Sequence, residues 1–262
     1  MPHDRIRAML KATFIVPTYK RPELLLRCLT SIRSFIKLDL EIIVVDDSQE
    51  GEGFGAAASA GATYIMKSKK ERRGLARNRN IGLSVAKGEF VVFIDDDDFF
   101  IGDELQFMIE NADGNDLLCS NYFNYMNEKL DPVNINRFSL DDMLVCNRLP
   151  VGSYAIRRSA IRYGFDEEMR GHEDWDFLLR NLFEWDVKYF NNFSVAIDKS
   201  NNSIDSHQAL TRKFFWLDFL GVYSRFPCPR LAQQRCRMLK SLGIEFSPNM
   251  LDFEPFINQR IF

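Results

Sequence analysis

Apolar residues in the first hundred positions form two kinds of pattern that alternate along the chain. Four short apolar runs occupy residues 12–17, 40–45, 63–66 and 89–94, and continuous runs of this length are typical of buried strands. Between the first two runs, Leu25, Leu29 and Ile32 lie on one helical stripe, and Pro22 is the expected first residue of that helix. The alternation predicts an α/β fold with a mostly parallel central sheet flanked by helices.

The rest of the chain keeps this alternation in a looser form. The patterns predict helices at 102–111, 140–146 and from Glu173, and strands at 116–126, 151–157 and 186–190. Residues 191–208 are polar and predict a loop. Two more helices are predicted at 209–223 and 231–242, followed by an irregular tail. A helical extension therefore follows the α/β part.

Four consecutive aspartates, Asp95 to Asp98, directly follow the fourth apolar run. Adjacent carboxylates near a protein surface repel each other by about 1 kcal/mol or more per pair. A cation would relieve that repulsion, and such oxygen ligands suit Mg²⁺ or Mn²⁺, completed by a diphosphate and water. The alternative is a solvated turn whose carboxylates cap a helix.

A second acidic pair, Asp46 and Asp47, ends the second apolar run. In an open α/β sheet, ligands bind beyond the carboxyl ends of the strands. We therefore expect this pair and the four aspartates to line one crevice.

Two further charged clusters are candidates for chemistry. The arginines around Gly74 (Arg72, Arg73, Arg77 and Arg79) could grip a phosphate, or form a solvated basic helix face. The segment Gly171-His-Glu-Asp-Trp-Asp176 places carboxylates at a helix start. They could simply suit the helix dipole, or one of them could act as a general base.

Composition narrows the classes of function. The 262 residues are 46% hydrophobic, and 34 Lys and Arg against 37 Asp and Glu give a net charge of −3. That balance argues against a nucleic-acid partner. The five cysteines are scattered, which favours free thiols in a reducing compartment. We see no signal peptide or membrane span in the sequence and expect a cytoplasmic protein.

The chain resembles the family 2 inverting glycosyltransferases over about residues 12–190, where six motifs occur in the family's order. They are Pro17-Thr-Tyr-Lys-Arg21, Val44-Val-Asp-Asp-Ser48, Gly74 to Gly82, Phe93-Ile-Asp-Asp-Asp-Asp98, Ala155 to Ala160 with Phe165-Asp-Glu167, and Glu173-Asp-Trp-Asp-Phe177. The resemblance implies the GT-A fold, which is Rossmann-like, and three parts. Residues 1–112 would be a nucleotide-sugar-binding half, 113–205 an acceptor-binding half, and 206–262 the helical extension.

The resemblance also implies roles for individual residues. The expected donor-binding residues are Pro17, Thr18, Tyr19, Arg21, Asp46, Asp47, Arg79, Asp95 and Asp96. Asp95 and Asp97 match the family's metal-binding Asp-x-Asp motif, with Asp97 the expected direct ligand of Mn²⁺ or Mg²⁺ and His207 a further candidate. Asp174 matches the catalytic base, with Glu173 beside it.

The expected activity is metal-dependent, inverting transfer of a sugar from a nucleoside diphosphate, UDP in the first instance. The acceptor would be a hydroxyl of a glycan or lipid-linked molecule in bacterial surface polysaccharide synthesis. Two alternatives are a nucleotide-sugar-binding module without turnover and a sugar-phosphate nucleotidyltransferase. The aromatic and basic helices of the extension would contact the inner face of the membrane peripherally, pack on the catalytic domain, or form a homodimer.

Overall fold

The computed structural model describes residues 10–68, 71–135, 137–169, 171–200, 215–248 and 251. Within these ranges, nine strands form one sheet. Eight of them are neighbours in the order Thr63–Met66, Leu40–Asp46, Ala12–Thr18, Phe90–Phe93, Tyr154–Arg157, Leu117–Met126, Val187–Asp198 and Phe99–Phe100. The ninth, Lys129–Val133, pairs with Leu117–Met126. Successive residues of a strand face opposite sides of the sheet. Ile15 and Phe93 accordingly belong to one apolar cluster, and Phe14 and Val92 to another. The sheet thus separates two cores.

The first half of the chain supplies the strands that end at the acidic clusters. Its elements are β1 (Ala12–Thr18), α1 (Pro22–Phe35), β2 (Leu40–Asp46), α2 (Phe54–Ser59), β3 (Thr63–Met66), α3 (Leu75–Val85), β4 (Phe90–Phe93), β5 (Phe99–Phe100) and α4 (Glu104–Glu110). Strands β1 to β4 pair in parallel. Thr18 is opposite Asp46 in this register, so both lie at the carboxyl edge of the sheet.

The second half extends the same sheet. Its elements are β6 (Leu117–Met126), β7 (Lys129–Val133), α5 (Leu140–Val145), β8 (Tyr154–Arg157), a 3-10 turn (Arg158–Ala160), α6 (Glu173–Leu182) and β9 (Val187–Asp198). Strand β8 is antiparallel to both β4 and β6, so β6 runs in the direction of β4, and β9 is parallel to β6. The predicted mostly parallel α/β sheet is therefore confirmed.

Two helices of the predicted extension lie in the described ranges. They are α7 (Phe215–Arg225) and α8 (Ala232–Ser241), joined through a 3-10 turn (Pro229–Leu231). Phe219 and Tyr223 of α7 pack against Trp175 of α6, with ring centroids 5.4 and 5.9 Å apart. Arg225 and Arg230 pair with Asp166 and Asp141, and Arg235 is buried. This inward packing agrees with the predicted alternative in which the extension packs on the rest of the domain.

The predicted loop at 191–208 is wrong for its first part, because β9 continues to Asp198. Asn191 and Asn192 are exposed and lie at a bulge, where the register with β6 moves from Phe190 to Phe193. Two polar residues in a bulge therefore resemble a loop in the sequence. The strand after the bulge matters for the site because it carries Asp198 to the aspartate cluster.

The sequence interpretation also missed the short strands β5 and β7. Strand β7 follows a tight turn in which Asn127 and Glu128 both have positive φ, 51° and 61°. Non-glycine residues seldom adopt this conformation. Pro132 lies in β7, where a strand bonded on one side tolerates its missing N–H.

Among the described residues, the helices are too short or too polar to cross a lipid bilayer.

Candidate active site

The four aspartates after β4 point to different partners. Asp95 accepts a hydrogen bond from Arg79 at 2.8 Å, and Asp97 accepts one from Arg21 at 2.7 Å. Asp96 accepts from the Thr18 hydroxyl at 2.6 Å and from Arg21 at 2.5 Å. Their mutual repulsion is therefore offset in part by guanidinium groups of the chain itself.

Asp98 is buried, and its carboxylate accepts the backbone N–H of Asp198 at 2.8 Å. The Asp198 carboxylate in turn accepts from Arg27 at 2.6 Å, and Arg27 also donates to the carbonyl of Asp97. The end of β9 and helix α1 thus hold the aspartate loop in place. Neither Arg27 nor Asp198 belongs to a motif found in the sequence, so sequence reasoning missed both.

Burial separates the four aspartates into two pairs. The side chains of Asp95 and Asp97 are 34% and 20% exposed. Asp96 and Asp98 are buried, and burial raises the pKa of Asp96 to about 7 although Arg21 opposes the shift. The first and third aspartates are therefore the ones that a ligand in the crevice can reach.

These two carboxylates fit a Mg²⁺ or Mn²⁺ site of one particular kind. Among the described residues, no group of three or more His, Cys, Asp or Glu side chains has metal-binding geometry, so these residues alone do not form a complete protein cage for a metal ion. Mg²⁺ commonly binds through one or two carboxylates together with substrate phosphates and waters. Asp95 and Asp97 meet that requirement. His207 lies outside the described residues.

The acidic pair after β2 is held by several hydrogen bonds. The buried Asp46 carboxylate accepts from the backbone N–H groups of Ser48 at 2.6 Å and Gly53 at 3.1 Å, and from the Tyr64 hydroxyl at 2.6 Å. These contacts occupy both carboxylate oxygens, so Asp46 holds the loop between Ser48 and Gly53 in place. Tyr64 was not predicted as a site residue, because it lies in an ordinary strand pattern.

Asp47 is the more accessible member of the pair. Its carboxylate lies 2.5 Å from the ammonium of the buried Lys67 and accepts the N–H of Gly74 at 2.9 Å. It therefore joins β2 to the start of α3. Lys67 was not predicted as a site residue, and the structure places it beside Asp47.

An aromatic side chain with two nearby cations lies just after β1. Tyr19 is 38% exposed, the Arg73 guanidinium lies 5.1 Å from its ring centroid, and Lys20 lies 5.6 Å from it. Pro17, by contrast, is buried inside β1 opposite Val45. Of these residues, Tyr19 is the one that offers a flat surface to a ligand.

The arginines of the predicted phosphate clamp have separate partners. Arg72 pairs with Glu168, and Arg77 pairs with Glu167 at 3.0 Å. Arg73 lies beside Tyr19. The structure therefore does not bring these three together with Arg79 into one cationic fork.

Arg79 is buried, with a side chain 2% exposed, and binds two carboxylates. One terminal nitrogen donates to Asp95 at 2.8 Å and the other to Glu173 at 2.7 Å. Its helix, α3, can lie close to β1 because Gly82 has no Cβ. A Cβ at that position would lie only 2.4 Å from the Ile15 side chain. Arg79 therefore joins the aspartate loop to the start of α6.

Asp174 lies at the start of α6 and is half-buried. One oxygen accepts the N–H of Trp175 at 2.8 Å and the other accepts the side-chain amide of Asn147 at 2.9 Å. Burial, with the neighbouring charge of Glu173, raises the pKa of Asp174 to about 7. A carboxylate with that pKa can accept a proton near neutral pH.

The third acidic residue of this segment has another role. Asp176 is buried and accepts hydrogen bonds from Arg180 at 2.7 Å and Arg225 at 3.1 Å. Glu173 is bound by Arg79. Asp174 is thus the carboxylate of this segment that is not paired with an arginine in the described contacts.

The chain is similar to known glycosyltransferases in sequence and in fold. The family model for glycosyl transferase family 2 matches residues 13–168. An uncharacterized glycosyltransferase of Haemophilus influenzae is 28% identical over 187 residues, covering 66% of this chain and 62% of that protein. The GalNAc(5)-diNAcBac-PP-undecaprenol beta-1,3-glucosyltransferase of Campylobacter jejuni is 34% identical over 109 residues, 40% of this chain and 35% of that protein. The chain thus spans less than two thirds of the length of either relative.

Solved structures with the same fold include two nucleotide-sugar complexes. S. aureus TarS 1-349 with UDP-GlcNAc has a TM-score of 0.65 at 16% identity, covering 90% of this chain and 74% of that one. The mannosyltransferase PcManGT of Pyrobaculum calidifontis, with GDP-Man and Mn²⁺, has a TM-score of 0.62 at 15% identity, covering 94% and 73%. At these identities the likeness shows the fold, which confirms the predicted GT-A architecture. With more than half of its residues matched by the family model, the chain belongs to glycosyl transferase family 2.

Proposed function

We propose that this protein is a metal-dependent, inverting glycosyltransferase. It moves a sugar from a nucleoside diphosphate, UDP in the first instance, to a hydroxyl of a glycan or lipid-linked acceptor in bacterial surface polysaccharide synthesis. One observation carries the proposal: Arg79 binds both Asp95 and Glu173. The proposed metal-binding loop and the segment that holds the proposed base therefore meet at a single side chain.

The donor would bind along the carboxyl edge of β1, β2 and β4. Tyr19 offers an aromatic face, Asp47 a partly exposed carboxylate, and Thr18 with Arg21 supports the aspartate loop. Aromatic faces and carboxylates suit a base and a ribose, respectively. The complexes of TarS with UDP-GlcNAc and of PcManGT with GDP-Man support a nucleotide sugar as donor class.

Asp97, together with Asp95, would hold the divalent cation. The bound ion would stabilise the negative charge that develops on the departing diphosphate. Mn²⁺ accompanies the nucleotide sugar in the PcManGT structure, which supports Mn²⁺ or Mg²⁺ here. Arg79, although buried, places positive charge beside Asp95.

Asp174 would be the general base. Its carboxylate removes the proton from the acceptor hydroxyl while the acceptor oxygen attacks the anomeric carbon on the face opposite the diphosphate. The new carbon–oxygen bond forms as the bond to the diphosphate breaks, so the anomeric configuration inverts. General bases of this kind contribute about 10²- to 10⁴-fold in rate.

The proposed class of acceptor is supported by the names of related proteins. The Campylobacter jejuni relative is named for a lipid-linked glycan acceptor, and a Staphylococcus epidermidis relative is named a teichoic acid polymerase. We infer an acceptor from the same general group of bacterial surface glycans. Peripheral membrane contact or dimerisation through α7 and α8, and a cytoplasmic location, stay predictions.

A panel of UDP-, GDP- and dTDP-sugars, incubated with Mn²⁺ and with EDTA, tests the proposal. We expect release of the nucleoside diphosphate from at least one donor, with loss of that release in EDTA. Binding of UDP without turnover of any donor would favour a binding module. Formation of a nucleotide sugar from a sugar phosphate and a nucleoside triphosphate would favour a nucleotidyltransferase instead.

A further inference from the structure

Three helices converge on the carboxyl end of α5. The carbonyl oxygens of residues 143–145 each accept a side-chain hydrogen bond, from Trp175 of α6 at 2.6 Å, Arg235 of α8 at 3.0 Å and Tyr223 of α7 at 2.8 Å. The last carbonyls of a helix lack partners within the helix. The contacts therefore satisfy groups that would otherwise be buried without a partner.

The two residues from the C-terminal helices are themselves rigidly packed. Arg235 and Tyr223 are both fully buried, and the guanidinium lies 4.3 Å from the ring centroid. Arg235 also donates to the carbonyl of Phe226 at 2.8 Å. A cation is favourable at a helix carboxyl end, where the helix dipole is negative. The end of α5 is consequently fixed in position by α7 and α8.

The chain leaves α5 and reaches Asn147 two residues later. The Asn147 amide nitrogen donates to Asp174 Oδ2 at 2.9 Å, and its Oδ1 accepts the N–H of Leu149 at 3.1 Å. The second bond orients the amide so that its NH₂ group faces Asp174. Asp174 Oδ1 accepts the N–H of Trp175. Each oxygen of the carboxylate is therefore held by a separate donor.

We propose that Asn147 is a positioning residue for Asp174, and that α7 and α8 are part of the active site because they hold Asn147 through the end of α5. This inference rests on the proposed role of Asp174 as the general base. Asn147 sets the direction of the carboxylate oxygens, and Tyr223 acts through Asn147. A displacement of about 1 Å in a reacting group can cost about 10²-fold in rate.

Two single variants and their combination test this chain of contacts. Asn147→Ala should leave the Kd of UDP with Mn²⁺ unchanged and lower kcat by about 10- to 100-fold. Tyr223→Phe keeps the ring but removes the hydroxyl, and should lower kcat by a smaller factor. The double variant should be no slower than Asn147→Ala alone, because residues that act in series are not additive. Tyr189→Phe, which removes a comparable 3.1 Å bond to the carbonyl of Phe138, is the control and should match the wild type.

A second measurement does not depend on turnover. The ¹³C NMR signal of the Asp174 carboxyl carbon can be identified by its absence in Asp174→Asn. It should move in both Asn147→Ala and Tyr223→Phe, and stay in place in Tyr189→Phe. An unmoved signal, or fully additive losses of kcat in the double variant, would overturn the inference. If the wild type transfers no sugar, or Asp174→Asn still turns over, the proposed function fails while the NMR comparison still decides the positioning of Asp174.

Discussion

Arg79 donates a hydrogen bond to Glu173 at 2.7 Å, although the two residues are separated by 94 positions in the sequence. The same guanidinium donates to Asp95. Because Glu173 directly precedes Asp174, this contact fixes the distance between the proposed base and the proposed metal-binding loop. The buried arginine is thus a structural link across the site rather than a free phosphate ligand.

Replacing Arg79 with Met should therefore damage both stability and activity. The change leaves Asp95 and Glu173 without their shared partner, and breaking a buried ion pair costs about 3 kcal/mol or more. Arg77→Met, on the same helix, removes a pair that is about one third exposed on both sides and should cost less than about 1 kcal/mol. Urea unfolding of both variants measures the difference. Equal losses would contradict the bridging role of Arg79.

Transfer should depend on pH through Asp174. Burial raises the pKa of this carboxyl to about 7, and a general base is active only when it is ionised. The value of kcat/KM should therefore rise about tenfold per pH unit below about 7 and level off above it. A profile of log(kcat/KM) against pH measures this limb. A flat profile across the mildly acidic range would argue against Asp174 as the base.

The proposed metal site predicts a charge-specific effect at Asp97. Asp97→Asn should weaken binding of UDP in the presence of Mn²⁺ by about 10-fold or more, because a divalent cation prefers a charged oxygen ligand. Asp103→Asn removes an exposed carboxylate at the start of α4 and should leave the affinity unchanged. Isothermal titration of UDP, with and without Mn²⁺, makes the comparison. An unchanged Mn²⁺-dependent affinity in Asp97→Asn would assign the metal to another residue.

Helix α5 begins with a capping box that should contribute measurably to stability. The Ser139 side chain accepts the N–H of Asp142, and the Asp142 carboxylate accepts the N–H of Ser139. Ser139→Ala should lower the free energy of unfolding by about 1 kcal/mol. Ser84→Ala removes a hydroxyl that donates to a carbonyl on an exposed helix face, and should change it by less than about 0.5 kcal/mol. If the two variants unfold alike, the capping box contributes little.

Much of the first half of the fold could be predicted from the sequence because its signals are local. The four apolar runs became β1 to β4, and Pro22 begins α1 as expected. The carboxyl ends of those strands bring Asp46 and Asp95 to one edge of the sheet, as their positions after the runs predict. The second half was less predictable because polar residues interrupt its strand pattern, as Asn191 and Asn192 do at the bulge of β9.

The roles inside the site were harder to read from the sequence. A run of four aspartates indicates a need for positive charge, but the sequence does not say that Arg21 and Arg79 meet part of it. Asn147 and Tyr223 lie in no charged or glycine-rich motif. Their importance follows only from contacts made after α5, α6 and α7 have packed together.

The most direct test of the central claim compares binding and turnover in Asp174→Asn. The variant keeps the size of the side chain but removes the group that would accept the proton. We expect UDP with Mn²⁺ to bind as tightly as it binds to the wild type, while transfer falls by about 10²-fold or more. Turnover near the wild-type level, with the same donor affinity, would contradict the assignment of Asp174 as the general base.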